Sequence, residues 1–297
     1  MSEIITRNPR VDEIPKLRHI WSSVFGDTGM DSFFQLLYDQ KLCYVAEYED
    51  SLAAMGYLIP SGEVVLNSDN SCNVKPVKCA MIYSVATLPE HRGLGLGTSV
   101  VRRLMICARD LDFAAVVLCP SDDDLFEYYS ERTRLLDRFY IDEQIVEHKH
   151  IGSAKILPSV LSAADYCSMR EKLLKNIVHL KYDKQTLEYQ VLLCNELGGG
   201  LYKTGDSCAV VERESDSCVW IKELLTPAGT KGGISSDIHA CDVIASIAEL
   251  YPADKYIVRS PSRVGCGRRF GMLALDESLI KGFQESNISP WYGVAFD

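Results

Sequence analysis

Hydrophobic residues recur at helical spacing twice near the N-terminus, as Ile14, Leu17, Trp21, Val24 and Phe25, then as Phe33, Phe34, Leu37 and Tyr38. Residues three and four apart share one face of a helix, so this spacing predicts two short opening helices. Residues 43–47 and 52–58 are rich in strand formers and flank a polar interval, which predicts a hairpin. Residues 79–85 form a further strand pattern, which Pro89 and three glycines interrupt. Val100, Val101, Leu104, Ala108 and Leu111 then mark the apolar side of a helix. Residues 114–118 are a continuous apolar run, as in a strand buried on both faces. Strand, helix and strand in this order imply a right-handed crossover.

The second half repeats the plan. Ser162 and Asp183 are candidate caps of two helices, and Gly198-Gly199-Gly200 ends the second of them. Residues 201–203 and 208–211 predict another hairpin, and residues 219–227 a strand that corresponds to the first-half strand ending Thr87-Leu88-Pro89. A helix through Ile244, Ile247 and Leu250 and a strand at 256–258 follow. The same order twice predicts an α/β (α+β) chain of two tandem units, residues 1–153 and 154–297, each a mixed sheet flanked by helices. The 297 residues are enough for two ordinary cores. Residues 291–296 are apolar up to Asp297, so the tail is expected to pack as a strand-like segment.

Composition narrows the class. At 47% hydrophobic and 24% charged residues the chain reads as globular, neither disordered nor collagen-like. It has no apolar run near the roughly 20 residues of a membrane span, and its N-terminus lacks a secretory pattern, so a cytoplasmic location is expected. The 11 cysteines include no Cys-x-x-Cys pair, which points to reduced thiols and to neither a disulfide framework nor a zinc site. The net charge of −10 argues against nucleic acid as a partner. Residues 1–150 hold 15 Lys and Arg against 23 Asp and Glu, a net −8 of that total.

The segment Pro89-Glu90-His91-Arg92-Gly93-Leu94-Gly95-Leu96-Gly97-Thr98 lies between a predicted strand and a predicted helix. Glycines there let the backbone approach a ligand, and the first helical N–H groups with the helix dipole favour an anion. Its G-x-G-x-G pattern after arginine matches neither the dinucleotide fingerprint nor the nucleotide P-loop. A pyrophosphate is the predicted guest.

Residues 85–97 resemble the acetyl-CoA signature of the GNAT N-acetyltransferases, whose core Q/R-x-x-G-x-G/A falls on Arg92, Gly95 and Gly97. By order of elements the resemblance covers about the first 150 residues. It implies acetyl-CoA as co-substrate and no metal. Backbone groups near Val85 and Thr87 would pair with pantetheine and the acetyl group, and the N–H groups of Gly93, Leu94, Gly95, Leu96, Gly97 and Thr98 would hold the pyrophosphate. Aligning residues 122–131 on the family's second motif puts Tyr129 at the general acid, with Tyr128 as the alternative. Asp122 replaces that motif's asparagine, and Thr133-Arg134 replace its Gly-Phe. Asp122, Asp123 and Asp124 otherwise read as first-turn carboxylates of a helix.

The implied chemistry is direct attack of a primary amine on the thioester in a ternary complex. An alkylammonium titrates near 10.4 and must lose a proton first, so a base or water chain is required. Residues 81–85 carry no carboxylate, and His91 is expected to face solvent. The tandem layout is similar to the first two domains of the enhanced-intracellular-survival acetyltransferases, in which the chain's terminal carboxylate reaches the active site. That likeness implies Asp297 as the base, although those proteins carry a further domain. In the second half Thr230, Gly233 and Ser235 align with Arg92, Gly95 and Gly97, so no acetyl-CoA is expected on Gly232-Gly233, and this half is expected to shape the acceptor pocket. Trp21, Phe25 and Phe33 read as core, with lining of the acceptor cleft as the alternative. His148 and His150 read as exposed strand residues. The acidic first half favours a cationic small-molecule or peptide amine such as a polyamine, aminoglycoside or lysine side chain. A non-catalytic acyl-CoA-binding or interaction module is the competing class, and a nucleotide-binding enzyme the third.

Overall fold

Proline within the first two positions of α1 (Ile14–Phe25) sits where its missing N–H costs nothing, and Gly26 with φ 77° ends the helix. Upstream, β1 (Ile5–Arg7) is tied to this helix start by Glu13, which is 2% exposed. The Arg7 guanidinium donates to both Glu13 carboxylate oxygens at 2.8 Å, and the Arg10 backbone N–H donates at 2.7 Å. The hydrogen bond from Arg7 outweighs the cost of burial and holds the Glu13 carboxyl down at about 2, against an ordinary 4.5. A depressed folded-state pKa gives stability that is complete above the unfolded value and is lost as pH falls through the folded one. Acid titration of stability should therefore show a component between about pH 4.5 and 2 that Glu13→Gln removes, read by unfolding midpoints across that window.

The computed structural model describes residues 3–66, 75–227, 238–276, 279 and 288–296. After α1 come α2 (Met30–Leu36), β2 (Cys43–Tyr48), β3 (Ser51–Val65), β4 (Val77–Thr87), α3 (Leu96–Asp110), β5 (Ala115–Leu118), α4 (Asp124–Arg132) and β6 (Leu136–Glu147). The chain continues through β7 (Ser159–Val160), α5 (Ala163–Leu173), β8 (His179–Tyr182), α6 (Lys184–Glu196), β9 (Gly200–Thr204), β10 (Ser207–Ser215), β11 (Cys218–Leu225), α7 (Ile238–Leu250), β12 (Lys255–Pro261) and β13 (Arg268–Leu275). Ser162 accepts from the Asp165 N–H at 3.1 Å and Asp183 from that of Thr186 at 2.8 Å, so both predicted caps are made.

The strands form one mixed, mostly antiparallel sheet flanked by helices, in the order β1-β2-β3-β4-β5-β13-β6-β12-β11-β10-β9-β7, with β8 added against β3. Among the described strands only β4 with β5 and β11 with β12 are parallel pairs. Strand β13, far beyond residue 153 in sequence, lies between β5 and β6, and β6 pairs with β12 over Ile141–Glu147. Hydrogen bonding is therefore continuous across the residues where the sequence predicts a boundary. Glu147 ends β6 and residues 148–150 make a single 3₁₀ turn, so His148 and His150 do not share a strand face.

The tail packs, though not as a strand. Residues 291–296 are all buried, and the Trp291 backbone bonds to Val178 at 2.8 Å and Leu180 at 3.0 Å. Among the described residues no helix is long and apolar enough to cross a membrane.

Candidate active site: a bent strand and an open glycine turn

Strand β4 does not run straight. Against β3 it pairs Ala86 with Met55 and Tyr83 with Tyr57, so one extra β4 residue is accommodated between these pairs. Ser84 takes a left-handed φ of 47°, uncommon for a residue with a side chain and the mark of a bulge that bends the strand. On its other side β4 pairs with β5 only from Cys79 to Ile82, opposite Ala115 to Leu118. The ladder with β3 continues to Thr87, so residues 83–87 have a sheet partner on one side only among the described residues. On the β5 side no strand thus runs beside Val85 to Thr87 among the described residues.

This end of β4 leads to the glycine turn. Gly93 and Gly95 both have φ 81°, and a Cβ at either would meet nothing within 4 Å, so their need for glycine is backbone geometry and the ground above them is open. Gly95 caps α3 without a side-chain hydrogen bond, and the first i+4 bond of the helix runs from the Ser99 N–H to the Gly95 carbonyl at 3.0 Å. The N–H groups of Leu96, Gly97 and Thr98 therefore lie ahead of the helical ladder, at the positive end of the helix dipole. Gly93, Leu94 and Gly95 are exposed while Leu96 is buried, anchoring the turn. The exposed Arg92 side chain folds back to the Thr87 carbonyl at 3.4 Å. These residues fit an extended diphosphate-bearing molecule: a trough of backbone groups beside Val85 and Thr87, then a nest of N–H groups.

Helix α4 brings two tyrosines to this region with different surroundings. Tyr128 hydrogen-bonds the Thr98 hydroxyl at 2.5 Å, its ring lies 4.5 Å under the Arg132 guanidinium, and its hydroxyl would stand 3.7 Å from a Cβ at Gly97. Tyr129, 7% exposed, packs among apolar side chains that join α3 to the sheet. Burial first, and Tyr128 beside it second, hold its phenol above the ordinary 10, so it stays protonated at neutral pH. Asp123 caps α4 without a side-chain hydrogen bond. His91 packs against Tyr48 at 5.9 Å.

Across β4 from these tyrosines, Tyr83 reaches toward the second half of the chain. Its hydroxyl lies 3.2 Å from that of Tyr189 on α6 and 3.5 Å from the Phe296 carbonyl, and its ring is 5.6 Å from that of Phe296. Trp21 and Phe33 are buried in this aromatic cluster, whereas Phe25 is 45% exposed. Asp297, Thr230, Gly232, Gly233 and Ser235 lie outside the described residues. Sequence reasoning missed Ser84, Tyr83 and Tyr189. A left-handed serine inside a strand and a hydroxyl pair joining residues 106 apart leave no local signal.

Residues 13–132 match the model of the Acetyltransferase (GNAT) family. This segment, less than half of the chain, is similar to the GNAT acetyltransferases. Among curated proteins none is similar in sequence to this chain. Solved GNAT structures are similar in fold along nearly all of it. A GCN5-related N-acetyltransferase from Kribbella flavida is 14% identical with a TM-score of 0.62, over 93% of this chain and 72% of that one. Another from Anabaena variabilis is 14% identical with a TM-score of 0.63, over 96% and 75%. Eis1 from Mycobacterium abscessus is 11% identical with a TM-score of 0.58, over 95% and 76%. The glycine turn and both α4 tyrosines fall within the matched GNAT residues, whereas β13 and the tail fall outside them. Among the described residues no group of three or more His, Cys, Asp or Glu is placed to hold a metal.

Proposed function

We propose that the chain is an N-acetyltransferase that moves an acetyl group from acetyl-CoA to a primary amine of a small molecule or peptide by direct attack in a ternary complex. The observation that carries this reading is the continuity of the one-sided stretch of β4 with the open glycine turn. An elongated ligand with a diphosphate part-way along it matches that sequence of backbone groups. Acetyl-CoA supplies the activated acetyl thioester. Val85 and Thr87 hold its pantetheine arm, and the amides of Gly93, Leu94, Gly95, Leu96, Gly97 and Thr98, with Arg92 beside them, hold its pyrophosphate. Tyr129 is the general acid, and the Thr98–Tyr128 pair braces the turn.

Phe296, the last described residue, stands beside Tyr83 on β4, and the Asp297 that follows it is our proposed base for the acceptor ammonium. We assign the chain two tandem units, 1–153 and 154–297, the second degenerate and without its own acetyl-CoA, shaping the acceptor pocket through Tyr189. A cationic acceptor and a cytoplasmic setting complete the proposal.

Calorimetry with coenzyme A tests the cradle. A Cβ at Gly97 would lie 3.3 Å from the Thr87 hydroxyl, and a branched side chain there crowds the Thr98–Tyr128 pair and covers the amides. Gly97→Val should weaken coenzyme A binding at least tenfold with little change in far-UV circular dichroism; unchanged affinity would remove the cradle. Tight binding with no transfer to any amine in an acceptor panel would favour the non-catalytic module. Deleting Asp297 should lower kcat more than tenfold while leaving coenzyme A affinity intact, and unaltered turnover would exclude it as base.

A further inference from the structure

Well along α3 from the glycine turn, a groove of about 1400 Å³ opens between the C-terminal half of α3, the end of α4 and the starts of β5 and β6. At 1.5 Å per residue, its far wall at Arg109 is about 20 Å from Gly95 along the helix. Arg102, Arg109, Arg132, Arg134 and Arg138 line it, half of the ten arginines in residues 1–150. This is the part of the chain with a net charge of −8, so the clustering runs against its composition. Of the lining carboxylates, Glu131 pairs with Arg132 at 2.9 Å and Asp137 with Arg269 at 3.5 Å. Arg134 and Arg138 are exposed and make no ion pair among the described residues. Between the arginines the lining is apolar: Ile106 is 37% and Leu136 46% exposed, with Phe113, Val116 and Ala274 beside them.

We propose that this groove docks an acidic segment of a partner protein, its apolar side chains resting on Ile106 and Leu136 and its carboxylates on the arginines. The volume exceeds the 300–1000 Å³ usual for small-molecule pockets and suits a peptide of several residues. Planar guanidiniums bind carboxylates in pairs, and the two unpaired arginines hold that capacity in reserve. The apolar floor calls for side chains that a free anion lacks, and a chain of net charge −10 repels a nucleic-acid backbone. A local positive rim on an acidic molecule also selects for partner segments of opposite charge. The inference is independent of acetyl transfer.

Fluorescence anisotropy of the full chain with a labelled eight-residue peptide alternating glutamate and leucine tests it. We expect saturable binding that weakens with added salt and persists in saturating coenzyme A. Arg134→Glu/Arg138→Glu should weaken it at least tenfold while coenzyme A affinity stays at the wild-type value, and Arg134→Gln/Arg138→Gln should weaken it by less. The proposal is overturned by absence of saturable binding, by equal binding of a lysine–leucine peptide, or by equal binding to the charge-reversed chain. Displacement by coenzyme A would overturn it too, because the groove would then extend the cofactor site. So would a wild-type dimer that the double reversal dissociates, which would make the occupant a second copy of the chain.

Discussion

Replacing Glu223 by glutamine should cost about 3–5 kcal/mol of stability, the range seen when one member of a buried ion pair is removed. Glu223 is 0% exposed and Arg170 1%. One Glu223 oxygen accepts from the Arg170 Nε at 2.9 Å and from the Tyr166 hydroxyl, and the other accepts from the Trp291 indole N–H at 2.6 Å. The rest of the guanidinium donates to the carbonyls of Leu180 at 2.7 Å and Tyr292 at 3.4 Å. Without the carboxylate a full positive charge stays in the core, with the Glu171 oxygen 3.7 Å away as its remaining ionic neighbour. Urea or thermal unfolding should show the loss. The double change Arg170→Met/Glu223→Leu should recover part of it, because no charge is then stranded, but not all, because the two carbonyls and the Trp291 N–H lose partners. A double change as damaging as the sum of the single ones would refute this account. The effect should also reach activity. Trp291 and Tyr292 are tied to this pair, Gly293 with φ 84° has no room for a Cβ against it, and the same segment delivers Phe296 to Tyr83.

How much of this was readable beforehand follows from which signals are local. Periodicity located α1, the β2–β3 hairpin, α3 and β5, because each buries one face with a spacing visible in a dozen residues. The caps at Ser162 and Asp183 were readable for the same reason. Strand β13 gave no such signal: it begins Arg268-Arg269, contains Gly271, and follows a turn with Gly265 and Gly267 at positive φ. It is a strand because β5 and β6 leave a gap that it fills on both sides, which is tertiary context overriding propensity. The close packing of Gly271, whose Cβ would lie 2.7 Å from the Tyr292 ring, explains the glycine that made the segment unreadable. The tail was legible as buried but not in form, since Trp291 is held by one bridge to His179 and by its side chain rather than by a ladder. At the site, the glycine turn was legible because a backbone need writes itself into residue type. The bulge at Ser84 was not, since serine there is imposed from outside, and the Arg170–Glu223 pair joins residues 53 apart with no pattern between them.

Tyr129→Phe should lower kcat about 100-fold, near the lower end of the range for general acid catalysis, with coenzyme A affinity unchanged. The small size of that expected loss has a physical origin. Burial lifts the phenol above 10, whereas an ordinary thiol titrates near 8.5, so complete proton transfer from Tyr129 to a departing sulfur is uphill. As the general acid the phenol therefore acts mainly through its hydrogen bond to the sulfur, which strengthens as charge develops there in the transition state. Activity should accordingly show no alkaline limb from this group below pH 10, and the ratio of wild-type to Tyr129→Phe rates should be flat from pH 7 to 9.5. Tyr128→Phe should give the opposite split. Its hydroxyl is bound to Thr98 at the head of α3, so its loss should weaken coenzyme A binding a few-fold and leave kcat within about threefold, the scale of one neutral hydrogen bond. If Tyr128→Phe abolishes turnover while Tyr129→Phe is silent, the roles of these adjacent residues are reversed, and the burial of Tyr129 is structural alone.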